Sequence, residues 1–226
     1  MNSEINLDNY DKPLDFNINR LATSLQGLSP VIPIRHRLSE RFTLGFRENF
    51  SELPLSTTRP RNRSNWTQHT SFAIMAAAKS LFLCCTFEVM GRLDAVIETT
   101  SENPDVVLLA EWESNPHSVF GVNNELEKLW VGANKHKVAD AFLFTYCAHD
   151  NFMDFVKKVV EFWQGNKTTR AIGPTLFLTA VVYQRTQATE QFIFLRTMEI
   201  DSDKVSLWHD ISFVDLSDYV ACIRGI

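Results

Sequence analysis

At 226 residues, with 45% hydrophobic side chains and a formal net charge of -5, the chain can bury a substantial core as one domain and is a poor candidate for a protein that coats polyanions indiscriminately. Its four cysteines, Cys84, Cys85, Cys147 and Cys222, lie in apolar settings with no Cys-x-x-Cys pair, which reads as buried free thiols. No N-terminal apolar run resembles a signal peptide and no apolar stretch reaches spanning length, so a cytoplasmic protein with no membrane contact is expected.

Residues 1–30 are polar, with a short helix expected around Ile18 to Leu25. From Val31 to Asn65, seven arginines (Arg35, Arg37, Arg41, Arg47, Arg59, Arg61 and Arg63) face three glutamates (Glu40, Glu48 and Glu52), a net +4, among Pro33, Pro54 and Pro60. This composition predicts irregular structure with one short helix or strand in its middle. It suits either a solvated loop or an arm that contacts phosphates.

The spacing of Phe72, Met75, Ala76, Lys79 and Phe82 predicts a helix from Trp66 to Leu83. Two adjacent strands follow, Leu83 to Val89 and Arg92 to Thr99, with Met90-Gly91 as the turn between them. Asp105 to Glu113 is apolar almost to its end, the pattern of a central strand covered on both faces. Polar chemistry therefore gathers at its C-terminal end, where open α/β sheets place ligands.

Asn123 or Asn124 can cap a helix to about Lys135 that buries Leu126, Leu129, Trp130 and Ala133. Ala141 to Cys147 is a second buried strand, so the strand–helix–strand order implies a crossover and a parallel pair. Phe152, Phe155, Val156, Val159, Phe162 and Trp163 mark a helix ending before Gly165. Strands are expected at Leu176–Gln184, Gln191–Met198 and Val205–Trp208. The sum is a single α/β domain over residues 1–226, with a mixed central sheet flanked by helices.

Side chains alternate along a strand, so Glu111 and Glu113 share a face while Trp112 points away. Asp94, on the neighbouring strand, can reach the same place. Buried carboxylates are costly unless they bind something cationic. One oxygen each from Asp94 and Glu111, with the backbone carbonyl of Trp112, would make the hard, all-oxygen environment that Mg²⁺ prefers. The same acids would also suit a strand end facing water, with Asp94 paired to Arg92 or a distant lysine. The six histidines are dispersed and form no His-x-x-His arrangement, so no soft-metal set competes.

Asp94, the strand pair, Glu111-Trp-Glu113, the helix bearing Glu125 and Lys128, and the strand Ala141 to Cys147 together resemble the restriction-endonuclease-like fold, the PD-(D/E)xK nuclease superfamily. The resemblance covers roughly residues 68–163. It implies a Mg²⁺-dependent endonuclease acting on DNA phosphodiesters, with Mn²⁺ as a substitute metal, and a homodimer if both strands of a duplex are cut. Asp94 would match the first metal-binding acid and Glu111 the second. Glu113 stands where the family usually has lysine, a Glu-x-Glu variant seen in some type II restriction enzymes. In other members the lysine has moved to the following helix, which makes Lys128 its counterpart here. The resemblance divides the domain into an N-terminal extension (1–65), a nuclease-like core (66–163) and completing strands (164–226).

Three departures accompany it. Leu93 stands where the motif has proline, the upstream helix contributes no acid, and Glu88 on the next strand is the nearest substitute for one. DNA contacts would fall to the Arg35–Arg63 region, Arg92, Lys135 and Lys137. A catalytically inactive nucleic-acid- or protein-binding domain of the same fold is the alternative. A Gly-rich phosphate loop and a Gly-x-Ser-x-Gly elbow are both missing from the sequence, which leaves unrelated α/β chemistry without a motif.

Overall fold

The apolar runs ending at Glu113 and Ala148 become neighbouring strands at the centre of a mixed sheet. The structure is a computed structural model and describes residues 34–52, 63–89, 93–135, 140–166, 168, 173–185 and 190–213. Two helices, α1 (Ile34–Glu52) and α2 (Arg63–Ser80), precede a meander of β1 (Leu83–Val89), β2 (Leu93–Thr99) and β3 (Val106–Glu113). A short 3-10 helix, Pro116–Val119, leads to α3 (Glu125–Lys135), β4 (Asp140–Ala148), α4 (His149–Gly165) and β5 (Thr175–Arg185). The described chain continues through β6 (Glu190–Ile200), β7 (Val205–Leu207) and β8 (Ile211–Ser212). The chain partitions into Met1–Pro33 and Ile34–Ile226, and every described residue belongs to the second unit.

Strand order follows the chain from β1 to β7, with β8 also pairing β6. Pairs β3–β4 and β4–β5 are parallel, as connection through a helix requires, and the others are antiparallel. Alternation splits the core between the two faces. Leu108, Ala110, Phe142 and Phe144 pack with Phe42, Phe46 and Phe50 of α1 and Ile74 of α2. Leu109, Ala141, Leu143 and Leu178 pack with Leu126 and Leu129 of α3 and Val159 and Trp163 of α4. Helices therefore flank both sides of the sheet, as the order of elements predicts.

The region from Val31 to Asn65 departs from expectation. Its first part is not irregular but a helix of 19 residues. Leu38, Phe42, Phe46 and Phe50 recur every fourth residue, and the three phenylalanines are fully buried, so one apolar stripe holds the helix to the sheet. Arg47 belongs to that packing. It is buried, its guanidinium donates to the backbone carbonyl of His209 and lies 5.7 Å from the Trp208 ring, and burial pulls its pKa down. It is a tertiary tie, which removes it from any phosphate-contacting arm. Arg41 is exposed. The side chains of Arg35, Arg37 and Arg63, and the whole of Arg59, Arg61, Arg92 and Lys137, lie outside the described residues, as does the helix expected at Ile18–Leu25.

Two smaller corrections concern cysteine and the last strands. Cys147 is buried, but Cys85 is only half-buried and Cys84 is exposed, because β1 is an edge strand with one face in water. The short β8 has no sequence signal of its own. No helix among the described residues is long and apolar enough to cross a membrane.

Gly132 sets how closely α3 approaches the sheet. A Cβ there would come 2.8 Å from Leu109 Cδ1. Gly132→Ala is expected to destabilise the protein by about 1 kcal/mol, since overpacking of ~1–3 kcal/mol outweighs a helix-propensity gain of ~1 kcal/mol. Urea denaturation would measure it, and a gain in stability would mean that α3 moves without cost.

Candidate active site

Register brings the first two acids together. Ala95 of β2 pairs with Ala110 of β3, which places Asp94 beside Glu111. The half-buried Asp94 accepts a hydrogen bond at Oδ2 from the Trp112 backbone N–H, 2.8 Å away, and its carboxyl is in hydrogen-bond contact with that of Glu111. Glu111 is 0% exposed. A carboxyl so placed needs a partner, and α3 provides it.

Lys128 lies one turn into α3, and its Nζ is 3.0 Å from Glu111 Oε1 and 3.1 Å from Oε2. The same ammonium is 3.5 Å from Glu125 Oε1, on the preceding turn. Only Oε2 of Glu111 receives a well-aligned hydrogen bond; Oε1, though close to the ammonium, accepts none. The start of α3 is secured by Glu127, whose carboxylate accepts from the Asn123 backbone N–H. Glu125 and Glu127 also place negative charge in the first turn, where the helix dipole favours it. Asn124 directs its side-chain amide to the Phe120 carbonyl rather than capping the helix through its oxygen.

The electrostatics follow from burial. Burial, reinforced by the charge of Asp94, pushes the Glu111 carboxyl up to about 9. Burial also raises Asp94, against the Trp112 N–H that favours its anion. Burial pulls the Lys128 ammonium down, but attraction to Glu111, with smaller contributions from Glu125 and Asp94, outweighs this and leaves it above the ordinary lysine value. Burial thus favours the neutral form of both acids, and the Lys128 ammonium favours the ionised form of Glu111.

Glu113 takes a different position. Its Oε1 accepts from the Asn115 N–H at 2.9 Å and the Ser114 hydroxyl at 3.1 Å, while its backbone carbonyl accepts from Thr145 Oγ1 at 2.7 Å. It lines a cleft of about 220 Å³ together with Asp94 and Trp112. Glu111 is thus paired with Lys128 of α3, while Glu113 lines the cleft with Trp66, Thr67 and Ser71 of α2. Among the described residues, no three of His, Cys, Asp and Glu converge as a metal-binding group. The site is two acids and a lysine, with Glu113 at its rim.

Glu88 also lines the cleft. Its φ of +56° is a left-handed conformation on a non-glycine residue, of a kind that costs ~1–3 kcal/mol and clusters at functional sites. Trp66 and Phe87 form further parts of the wall. Nothing in the sequence distinguishes these two from ordinary core aromatics. Of the histidines near the site in sequence, His117 is exposed on the 3-10 helix and His136 lies outside the described residues. Comparison with protein-family models, with curated proteins and with solved structures finds no match for this chain.

Proposed function

We propose that the chain is a Mg²⁺-dependent endonuclease of restriction-endonuclease-like architecture that hydrolyses phosphodiester bonds in DNA. The observation that carries this reading is the meeting of Asp94 and Glu111 from two strands with Lys128 from the next helix, at 3.0 Å from Glu111. The order helix, three-strand meander, helix, strand from α2 to β4 is the order that the resemblance implies. Lys128 takes the part of the lysine that the motif usually has at position 113.

Asp94 and Glu111 fit a hard divalent ion. They are adjacent oxygen donors in a site short of positive charge, and one buried oxygen of Glu111 accepts no hydrogen bond. Mg²⁺ is commonly held by one or two carboxylates, with water and substrate phosphate completing its shell; the Trp112 carbonyl would be the backbone donor. When bound, the ion supplies Lewis acidity toward the phosphate and lowers the pKa of the attacking water. Lys128 orients Glu111 and adds positive charge where negative charge grows on the phosphate. Glu113, once released from Ser114 and Asn115, would aim the water or accept its proton. Exposed Lys135 would contact DNA phosphates, and a symmetric homodimer would supply the two sites that double-strand cleavage needs.

The absence of a third converging acid among the described residues favours a second reading, a catalytically silent nucleic-acid- or protein-binding domain of the same fold. Incubation with supercoiled and linear DNA in Mg²⁺, Mn²⁺ or chelator separates the two. The nuclease reading expects metal-dependent nicking or cutting that Asp94→Ala lowers by about 10³-fold, the scale of losing a charge-stabilising group. No cleavage under any metal, or full activity in Asp94→Ala, would sink it.

A further inference from the structure

We infer that Lys128 is an exchangeable counter-ion. Its ammonium neutralises Glu111 while the site is free of metal and passes to Glu125 when Glu111 is taken by a divalent ion, so Glu125 sets how readily the site loads. This inference deepens the nuclease reading and rests on its metal site.

Competition for Glu111 is the starting point. The Lys128 ammonium is 3.0 Å from Glu111 Oε1 and 3.1 Å from Oε2, so one cation already serves both oxygens. The Glu111 side chain is 0% exposed and that of Lys128 is 20% exposed. A cation from solvent therefore joins Glu111 only after a rearrangement around it. A divalent ion on the same carboxylate would also lie close to the ammonium, and like charges that close repel each other even where the effective dielectric is high. Either the ammonium yields or the ion binds weakly.

Glu125 offers the ammonium a second carboxylate. It precedes Lys128 by three residues on α3, a spacing that makes the two side chains neighbours on the helix surface. Its Oε1 is 3.5 Å from Lys128 Nζ, an ion pair longer than a normal N–H···O hydrogen bond. Its Oε2 is buried and accepts no hydrogen bond. One carboxylate is thus closely engaged by the ammonium, while another within its reach has an unused oxygen. Because that oxygen belongs to a group already paired with Lys128, engaging it needs only a rotation of the flexible lysine stem, and neither solvent nor a new group has to enter. Charge stays balanced throughout: Glu111 exchanges one cation for another, and the ammonium keeps a carboxylate partner.

The test is a double-mutant cycle on Mn²⁺ binding by the full chain without DNA, read from the paramagnetic signal of free Mn²⁺. Lys128→Gln removes the competing charge and keeps a hydrogen-bond donor for Glu111, so it should bind Mn²⁺ about 10-fold more tightly, the scale of removing a nearby like charge. Glu125→Gln should weaken binding about 3-fold, the worth of one partly exposed ion pair, because the displaced ammonium then has no carboxylate to receive it. In the Lys128→Gln background the same substitution should change nothing, since Glu125 acts only through Lys128. If Glu125 merely adds negative charge to the site, Glu125→Gln weakens binding equally in both backgrounds, and that result overturns the inference. So does a Lys128→Gln protein that binds no more tightly than wild type. Glu125→Asp serves if Lys128→Gln does not fold: it keeps the charge and shortens the reach, so it should weaken binding nearly as much as Glu125→Gln, and wild-type affinity would overturn the inference. A wild type that takes up no Mn²⁺ overturns it together with the metal site. Cleavage is scored in parallel. Coupling between Glu125 and Lys128 in a protein that cuts no DNA keeps the exchange and removes the nuclease, whereas metal-dependent cleavage without coupling does the reverse.

Discussion

Glu111→Gln is expected to abolish metal-dependent cleavage while making the metal-free protein more stable, by an amount that grows with pH. The reason is the burial of the Glu111 carboxyl beside Asp94. Glu111 is raised from 4.5 to about 9 in the folded state, so between those values the folded protein binds more protons than the unfolded chain. Stability contributed by the neutral form is present below about pH 4.5 and is lost as pH rises toward 9. Glutamine has nearly the same shape and does not titrate, so it removes that loss. The gain should be small at acid pH and reach about 1–2 kcal/mol at the alkaline end, or roughly 5 °C in Tm for a chain of this size.

Mg²⁺ reverses the comparison. Binding at Asp94 and Glu111 requires ionised carboxylates, and burial raises both, so stabilisation of the wild type by Mg²⁺ should increase from mildly acid to mildly alkaline pH. Glu111→Gln should lose that response together with at least about 10²-fold in cleavage rate. Thermal melts with and without Mg²⁺ across this pH range provide the check. A variant less stable than wild type at every pH would mean that the ion pair with Lys128 outweighs the cost of burying the acid.

Phe46→Ala carries the largest expected effect on stability. Phe46 is fully buried on the face opposite α3 and meets Phe50 at 5.5 Å, Phe142 at 4.8 Å and Phe144 at 5.0 Å. Truncating such a ring costs ~3–5 kcal/mol in transfer and cavity terms, which corresponds to a fall in Tm of roughly 10 °C or more at this chain length. The Mg²⁺ response should survive in the remaining folded protein, because Lys128 and Glu111 meet on the other side of the sheet. A drop below about 1 kcal/mol would mean that α1 is held elsewhere.

The central elements were legible because their signals are local. Leu83 to Val89 alternates, Val106 to Glu113 runs apolar to its end, and Phe152 to Trp163 repeats at helical spacing; each became the expected element within a residue or three. The mixed α/β sheet with helices on both faces followed from their order. The helix α1 was hidden by its composition. Four arginines and three glutamates within Ile34–Glu52 obscured a regular Leu38–Phe42–Phe46–Phe50 stripe, and charge density was mistaken for irregularity.

In the candidate site, residue type and spacing pointed to Asp94, Glu111 and Lys128, and β-strand register placed the first two side by side. The division of labour between Glu111 and Glu113 was not legible. Both stand at alternate positions of β3, yet Glu111 is buried against Lys128 while Glu113 accepts from Ser114 and Asn115.

The sequence by itself determined which segments are strands and helices and where acidic chemistry ends an apolar strand, since periodicity depends only on neighbours along the chain. Tertiary structure alone decided three further matters. Lys128 reaches Glu111 across 17 residues, Arg47 is spent on a carbonyl 162 residues away, and the Trp66 indole N–H is buried without a hydrogen-bond partner. Each depends on which surfaces pack together, and the burial that follows sets the protonation of the acids and the fate of each polar group.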